Sequence, residues 1–368
     1  NNRRKMKVGI IGGGIIGTTI AATLQKTLNA GITTDGRSRR SAKISIIDDR
    51  RPHQTSLAGQ GYLWSIHRRT EEDVTRSRDA KRAWRELLRP LGGETLLDDS
   101  QGSLLIASPD NGGDLTDLKR HYDFMSGLLD GVEWLDDVRS RNAFVRPGIG
   151  GIYCCEDVVC SPPSVIDFLK TACGPFDVET RTVRNLEDER GSYDLLFCCA
   201  GPWVSWLKDD VDVVPRRGVL LVTTGVTGNE GGWDGDYDER RSMTPLMEYG
   251  YGGQGVHLTL SRRDNRWLVG ASREDDVGFL TEGIDLVEER LLCHARRFVD
   301  ESVLGNVVER RVGFRPWLRS DDGSGTGEGF RIEKEGNLVM VYGFEGQGVI
   351  YAALAAQRAV DLALNYDI

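Results

Sequence analysis

Three glycines near the start of the chain have the spacing that pyrophosphate binding requires. Gly12, Gly14 and Gly17 form a Gly-x-Gly-x-x-Gly motif directly after the apolar residues 8–11, which predict a buried strand. The first glycine permits a tight turn, the second lets the backbone approach phosphate oxygens, and the third lets a helix pack against the strand. Apolar residues at helical spacing follow, so the positive end of a helix would face the phosphates. The order of strand, motif and helix predicts a dinucleotide site, and a glycine-rich structural turn is the alternative.

Two acidic residues follow the next predicted strand. Residues 44–47 are mostly apolar, and Asp48 and Asp49 come directly after them. A carboxylate at such a strand end can accept hydrogen bonds from the hydroxyls of an adenosine ribose, and its presence favours a cofactor without a 2′-phosphate. Asp48 is the preferred candidate, whereas Asp49 could be an ordinary surface acid. Asp48 lies 31 residues after Gly17, which is more than the usual separation of about 20. The excess predicts an inserted, exposed, basic loop over residues 31–43.

Small residues occur at three more places where a loop or a strand end would let the backbone approach a flat ligand. They are Ser56 with Gln60-Gly61, Ala200-Gly201 after the apolar run 194–199, and the closing Gly343, Gly346 and Gly348. The closing glycines stand directly before a helix rich in Ala and Leu, so they predict a second anion site at a helix N-terminus. Cys198 and Cys199 lie within the apolar run, which indicates small core residues rather than redox centres. Residues 76–89 predict an amphipathic helix with Trp84 in the core.

Length and composition narrow the class of protein. The 368 residues allow two domains with sizeable cores. A net charge of −9 gives no indication of nucleic-acid binding. The seven cysteines form no metal-binding motif, and their odd number predicts reduced thiols, no bound metal and an intracellular protein.

The sequence gives little indication of where the protein is located. No apolar run is long enough to span a membrane, and no signal peptide is visible. The start without Met is compatible with removal of a peptide that targets a plastid or a mitochondrion, and equally with a trimmed terminus. Without such targeting, a cytoplasmic location is expected.

Taken together, the motifs resemble those of the FAD-dependent oxidoreductases that include D-amino-acid oxidase, glycine oxidase and sarcosine oxidase. The resemblance covers nearly the whole chain in five motifs, namely Gly12-x-Gly14-x-x-Gly17, Ala200-Gly201-Pro202-Trp203, Pro215-x-Arg217-Gly218, Gly313-Phe314-Arg315-Pro316 and Gly343-x-x-Gly346-x-Gly348. It implies an α/β fold, with a Rossmann-type FAD-binding domain of the glutathione-reductase kind and a discontinuous, β-rich substrate domain. The FAD-binding domain would comprise residues 1–80, 155–212 and 312–368, and the substrate domain residues 81–154 and 213–311.

The resemblance also implies one FAD, bound non-covalently because no cysteine lies at the closing glycine motif. His67, which could be a covalent attachment point in some relatives, is interpreted as a solvated residue beside Arg68. Val183, in a short strand after Glu179, would meet the adenine through its backbone. The residues assigned to FAD are Gly12, Gly14, Ile15, Ile16, Gly17, Asp48, Asp49, Val183, Ala200, Gly201, Trp203, Gly343, Gly346, Gln347, Gly348 and Val349, with Ser56, Gln60 and Gly61 on the flavin side.

For the substrate, the resemblance assigns Arg315 to a carboxylate, since a guanidinium fork pairs with it bidentately. This would orient an amino acid with its Cα–H facing N5 of the flavin. A structural ion pair is the alternative for Arg315. Tyr62 and Tyr251 could line the pocket, or could be core or rim residues. Where the oxidases of this family often carry Gly-His-Gly-Gly, the chain has Gly343-Phe344-Glu345-Gly346, which replaces an imidazole by a carboxylate.

Two functions remain open from the sequence. The first is FAD-dependent oxidation of the C–N bond of a small amine or amino acid, by hydride transfer to flavin N5. The second is an FAD-binding subunit or assembly factor of a larger, organellar protein complex, in which the flavin is mainly structural. The altered closing motif and the basic insertion keep the second function open, and neither the particular substrate nor the electron acceptor follows from the residues.

Overall fold

A computed structural model describes residues 5–29, 42–108, 112–224, 244–249, 256–263, 266–319 and 330–364. Tyr251 and most of the predicted basic loop lie outside the described residues, and the last two positions of that loop begin the second strand.

Numbered in chain order, the strands of the described residues are β1 (Met6–Ile11), β2 (Ala42–Ile47), β3 (Tyr62–Leu63), β4 (Leu97–Asp98), β5 (Ser103–Ile106), β6 (Val132–Leu135), β7 (Gly151–Cys154), β8 (Val158–Cys160), β9 (Asp177–Glu179), β10 (Leu195–Cys198), β11 (Val213–Thr223), β12 (Leu246–Glu248), β13 (Val256–Arg263), β14 (Arg266–Ser272), β15 (Val307–Leu318), β16 (Arg331–Glu335) and β17 (Leu338–Tyr342).

The helices are distributed along the whole chain. In the same ranges they are α1 (Ile15–Asn29), α2 (Thr55–Ala58), α3 (Glu71–Leu88), α4 (Gly112–Ser126), α5 (Pro162–Cys173), α6 (Leu186–Arg190), α7 (Ile284–Ala295), α8 (Glu301–Leu304) and α9 (Gly348–Leu364). None of these described helices has the length and apolar character that crossing a membrane requires.

The first sheet is the Rossmann-type sheet that the sequence predicts. Its strand order is β16-β17-β10-β1-β2-β9, and every neighbouring pair is parallel except β16 and β17. The inner strands are buried on both faces, which explains why their sequences are continuous apolar runs rather than alternating patterns. Helices α1, α3, α5 and α9 share one buried cluster with these strands and cover one face of the sheet.

The second sheet is the predicted β-rich layer. Its order is β15-β11-β14-β13-β12-β5-β7-β6, antiparallel throughout except for the pair β12 and β5. Val219 and Leu221 of β11 belong to one buried cluster with Leu291 of α7. Because side chains alternate along a strand, Gly218 and Leu220 lie on the opposite face of the sheet. That opposite face forms a wall of the site.

Helix α3 begins earlier than predicted, at Glu71 rather than at residue 76. The signal is the preceding Thr70, whose hydroxyl oxygen accepts a hydrogen bond from the N–H of Asp73 at 3.1 Å. Trp84 is fully buried, as predicted, and its Nε1 donates to the carbonyl of Val349 at 2.9 Å. The helix therefore packs on the start of α9 and continues through residue 80, where the predicted domain boundary lies. The division into two domains stays a prediction.

Candidate active site

A cavity of about 890 Å³ is lined by the carboxyl ends of β1, β2 and β10, by the inner face of the second sheet and by the start of α9. Gly17 and Gly343 do not line it. The predicted residues that do are Gly12, Gly14, Ile15, Ile16, Asp48, Asp49, Ser56, Gln60, Gly61, Tyr62, Val183, Ala200, Gly201, Trp203, Arg315, Gly346, Gln347, Gly348 and Val349. The structure thus brings these residues together, while the role of each one stays a prediction.

Residues 12–17, here called the phosphate turn, comprise the tight turn after β1 and the first three residues of α1. Gly12 has a φ of +101°, and a Cβ atom there would lie 2.3 Å from the carbonyl oxygen of Cys199. A Cβ atom at Gly17 would lie 2.0 Å from the carbonyl oxygen of Gly12. Neither position can carry a side chain unless the backbone moves. Gly17 therefore sets the packing of the helix and does not face the cavity.

Ser56 lies at the phosphate turn. Its Oγ accepts a hydrogen bond from the N–H of Ile15 at 3.0 Å, and a Cβ atom at Gly14 would lie 3.0 Å from the same oxygen. The hydroxyl therefore satisfies the first N–H of α1, which has no acceptor within the helix. Nothing in the spacing of the sequence indicated this contact, because the two partners are 41 positions apart in the chain.

Asp48 and Asp49 have different surroundings. A Cβ atom at Gly13 would lie 2.5 Å from Oδ2 of Asp48, so this carboxylate borders the phosphate turn. Oδ1 of Asp48 accepts a hydrogen bond from Nε2 of Gln54 at 3.3 Å. Asp49 instead forms an ion pair with Arg51. The arrangement favours Asp48 as the acceptor for ribose hydroxyls.

Val183 is not part of a strand, contrary to the prediction. Strand β9 ends at Glu179, and residues 180–185 are irregular. The chain leaves the sheet edge because it enters α6, whose first turn is capped by Asn185 through a 2.9 Å bond from the N–H of Glu187. Val183 nevertheless lines the cavity and is 8% exposed.

Trp203 is held at the cavity wall by aromatic contacts. Cζ of Arg51 lies 5.2 Å from its ring centroid, and the ring stacks on Phe279 at 5.3 Å between centroids. Phe279 follows β14, so this contact joins a loop of the first sheet to a loop of the second.

The closing glycines lead into α9, which starts at Gly348. The N–H of Gln347 donates to the carbonyl of Phe344 at 2.8 Å and shapes the approach to the helix. The first N–H groups of a helix have no acceptor within it, so this end presents hydrogen-bond donors and a positive dipole to the cavity. Glu345, with a φ of +53°, also lines the cavity, and burial raises the pKa of its carboxyl.

Arg315 lies in the cavity wall on β15, directly opposite Arg216 of β11. Its Nη1 donates to the carbonyl oxygen of Ser272 at 2.9 Å. A Cβ atom at Gly218 would lie 2.4 Å from that nitrogen, and one at Gly346 would lie 3.6 Å from Cδ and Nε. The side chain therefore passes between the second sheet and the start of α9.

The phosphate turn, the acid at the tip of β2 and the start of α9 border one cavity. The sequence model of the DAO family, described as FAD dependent oxidoreductase, matches residues 7–362. The chain belongs to this family. A sequence comparison with curated proteins finds no match.

Solved structures show the same fold at low sequence identity. The glycine oxidase of Geobacillus kaustophilus is 19% identical, with a TM-score of 0.73, and the similarity covers 99% of this chain and 96% of that one. The iminodiacetate oxidase of Chelativorans sp. BNC1 is 18% identical, with a TM-score of 0.73 and coverage of 97% and 95%. The FAD-bound L-α-glycerophosphate oxidase of Mycoplasma pneumoniae is 16% identical, with a TM-score of 0.70 and coverage of 99% and 96%. At these identities the similarities show the fold alone.

FAD is the cofactor of the DAO family, and the residues of this chain fit it. Gly12 cannot bear a Cβ atom, the carboxylate of Asp48 stands beside the same turn, and the donor-rich start of α9 faces the same cavity. Pyrophosphate, ribose and the electron-accepting ring each need one of these three features. The described residues therefore supply a suitable environment for each part of the cofactor.

Part of the cavity wall consists of residues that the sequence motifs did not indicate. Arg216, Arg273 and Trp317 line the cavity next to Arg315, and together these four residues are the arginine wall. One signal was available in the sequence. The buried side chain of Arg217 pairs with Glu274 at 2.8 Å on the face of β11 away from the cavity, so alternation along β11 turns Arg216 towards the cavity. Two adjacent arginines in a strand must face opposite sides of a sheet.

The segment after Gly61 is more buried than predicted. The ring of Tyr62 lines the cavity and stacks on Trp64 with 4.1 Å between centroids. His67 is half-buried and also lines the cavity, so it is not the solvated residue that was expected. Arg68 is only 6% exposed, and burial lowers the pKa of its guanidinium.

Proposed function

We propose that this DAO-family protein oxidises the C–N bond of a small amine or amino acid. The observation that carries the proposal is Arg315, a guanidinium in the cavity wall beside Gly346 at the start of α9. A guanidinium fork recognises a carboxylate bidentately, which selects amino acids over simple amines. Its bond to the carbonyl of Ser272 fixes the direction of the fork before any substrate binds.

When bound, FAD supplies the redox chemistry, the removal of two electrons from the C–N bond. The chain contributes binding and orientation. Gly12, Gly14 and the start of α1 hold the phosphates, and Asp48 holds the ribose. The N–H groups at residues 346–349 and the dipole of α9 favour negative charge at their end of the cavity.

We further propose that FAD is bound non-covalently. Cys199 lines the cavity, but it is only 8% exposed and burial raises the pKa of its thiol, so it is a poor nucleophile. Heating or acid treatment should release a yellow supernatant with the flavin spectrum and leave a colourless precipitate. Flavin that stays with the precipitate would contradict this proposal.

The proposed reaction can be tested by anaerobic reduction. A panel of amino acids of both enantiomers is added to the holoprotein, and bleaching of the flavin absorbance is followed. Alanine, ethylamine and lactate form a matched set that separates the contributions of the carboxylate and of the amine. We expect amino acids to bleach the flavin fastest, the decarboxylated amines more slowly, and the hydroxy acids not at all.

Two outcomes would indicate a different function. Bleaching by hydroxy acids alone would replace the C–N bond by a C–O bond as the site of oxidation. No bleaching by any member of the panel, together with recovery of the chain in a large assembly, would favour the FAD-binding subunit of a complex.

A further inference from the structure

The arginine wall concentrates positive charge at one stretch of the cavity. Arg216 lies on β11, Arg315 on β15 and Arg273 directly after β14, and these three strands are neighbours in the sheet. Cζ of Arg216 lies 3.4 Å and Cζ of Arg273 lies 4.6 Å from the ring centroid of Trp317. The indole therefore supports two guanidinium groups at once.

Acidic side chains lie beside Arg216 and Arg273 of the arginine wall. Asp275 accepts a 2.8 Å contact from Nε of Arg216 and lies 4.0 Å from Nε of Arg273, so the two arginines share one carboxylate. Glu345 also interacts with both of them, and burial raises the pKa of its carboxyl, which favours the neutral form. Burial and the neighbouring charge of Arg273 lower the pKa of the Arg216 guanidinium. An anion bound beside Arg216 would favour the charged form of its guanidinium.

One donor of Arg216 makes no hydrogen bond to any of the described residues. Within the part of the chain that the structure describes, Nη1 of Arg216 is buried and makes no hydrogen bond, whereas Nε is occupied by Asp275. A buried charged donor without a partner is unfavourable, so such a group indicates a ligand that completes it. The same residue faces the cavity, so a ligand in the cavity can reach it.

The spacing between Arg216 and Arg315 suits a small molecule with two anionic groups. Arg216 and Arg315 are register partners in the antiparallel pair of β11 and β15. Residues opposite each other in such a pair have Cα atoms about 4.5–5.5 Å apart. Two carboxylates separated by two or three carbon atoms can therefore bind both guanidinium groups together.

We propose that Arg216 and Arg273 form a second anion subsite and that the substrate is an amino acid with a second carboxylate. The inference rests on the proposed function, in which Arg315 holds the first carboxylate. Trp317 positions both arginines of the subsite, and the donor that the subsite offers to the second carboxylate is Nη1 of Arg216.

The test compares substrates that differ only in the second charge. Glutamate and glutamine, and likewise aspartate and asparagine, have nearly the same shape, and each is supplied as both enantiomers to the FAD-loaded protein. We expect kcat/KM for the acid to exceed that for the amide by about tenfold or more, the effect of one charge-assisted hydrogen bond. Arg216→Met should bring the ratio close to one by lowering the value for the acid alone, and Arg216→Lys should restore part of it.

Arg319→Met is the matched control. Arg319 directly follows β15, the strand paired with that of Arg216, but its side chain is 59% exposed and lies 3.8 Å from Asp212, outside the cavity lining. This variant should keep the full preference for the acid. Thermal unfolding of each variant shows whether a loss follows from altered folding, and the comparison of acid and amide on the unmutated protein needs no variant at all.

A second measurement separates failure of this inference from failure of the proposed function. Binding of succinate and of butyrate to the holoprotein is followed by calorimetry, which needs no turnover. Tighter binding of succinate, by about tenfold or more and lost in Arg216→Met, supports the second subsite even if no amino acid is oxidised. Equal affinities for succinate and butyrate, or equal kcat/KM for glutamate and glutamine, would overturn it while leaving amino-acid oxidation intact.

Discussion

The phosphate turn and the arginine wall face the same cavity but are built in different ways. The phosphate turn is one continuous stretch, residues 12–17, and it works through backbone atoms and the absence of side chains at Gly12 and Gly17. The arginine wall is assembled from three strands that lie far apart in the sequence, and it works through charged side chains. The first region should therefore decide whether FAD stays bound, and the second which substrate reacts.

The largest expected effect is that of Arg315→Met on turnover. Loss of a charge that pairs with a desolvated carboxylate costs about 2–5 kcal/mol, or roughly one and a half to nearly four decades in kcat/KM. FAD retention should not change, because the phosphate turn is untouched. Steady-state kinetics on a carboxylate substrate and on its decarboxylated amine give the measurement. Arg319→Met serves again as the control, and equal losses on both substrates would show that Arg315 is structural.

The contrast between the regions also explains what could be predicted from the sequence. Gly12, Gly14 and Gly17 lie within six consecutive residues, so their spacing alone indicates their geometry. The parallel strands were recognisable because burial on both faces leaves continuous apolar runs. Strand β9 is only three residues long, so the position of Val183 depended on where the chain turns into α6.

The arginine wall was not predictable by the same means. Arg216 and Arg315 are 99 residues apart, and only the pairing of β11 with β15 places them opposite each other. Likewise, the contact of Ser56 with Ile15 depends on how a loop folds back over the phosphate turn. Motif spacing reports on local geometry, whereas these contacts arise from strand pairing and packing between distant segments.

The next largest effect is expected on FAD binding at the phosphate turn. Asp48→Ala removes the carboxylate beside Gly13 and should weaken FAD retention, since hydrogen bonds to a charged group contribute about 1.5–3 kcal/mol each. The dissociation constant of FAD, measured by the recovery of flavin fluorescence on dilution, gives the readout.

Asp49→Ala is the matched control for that experiment, because it breaks the ion pair with Arg51 and leaves Asp48 in place. A loss of FAD from the Asp49 variant and not from the Asp48 variant would reverse the assignment of the two acids.

A smaller effect is expected when the arginine wall is displaced without removing a charge. A Cβ atom at Gly218 would lie 2.4 Å from Nη1 of Arg315, so Gly218→Ala should push the guanidinium aside. We expect kcat/KM for amino acids to fall about tenfold, or about 1.4 kcal/mol, with FAD retention unchanged. Gly191→Ala is the control, since a Cβ atom there meets nothing within 4 Å. Unchanged kinetics in the Gly218 variant would mean that the position of Arg315 is not critical.

The smallest effect is predicted for an ion pair outside both regions. Hydrogen bonds from Arg139 lower the pKa of the Asp137 carboxyl to about 2, below its usual 3.8. A carboxyl with a lowered pKa in the folded state stabilises the fold above its unfolded pKa, and this contribution is lost as the pH falls through about 2. The Asp137 side chain is 34% exposed, so screening by solvent keeps the contribution below about 1 kcal/mol at pH 7.

Asp137→Asn should therefore lower the melting temperature slightly at pH 7, and the difference from the unmutated protein should shrink between pH 4 and pH 2. FAD retention and kcat/KM should stay the same, and a change in either would show that residues far from the cavity influence it.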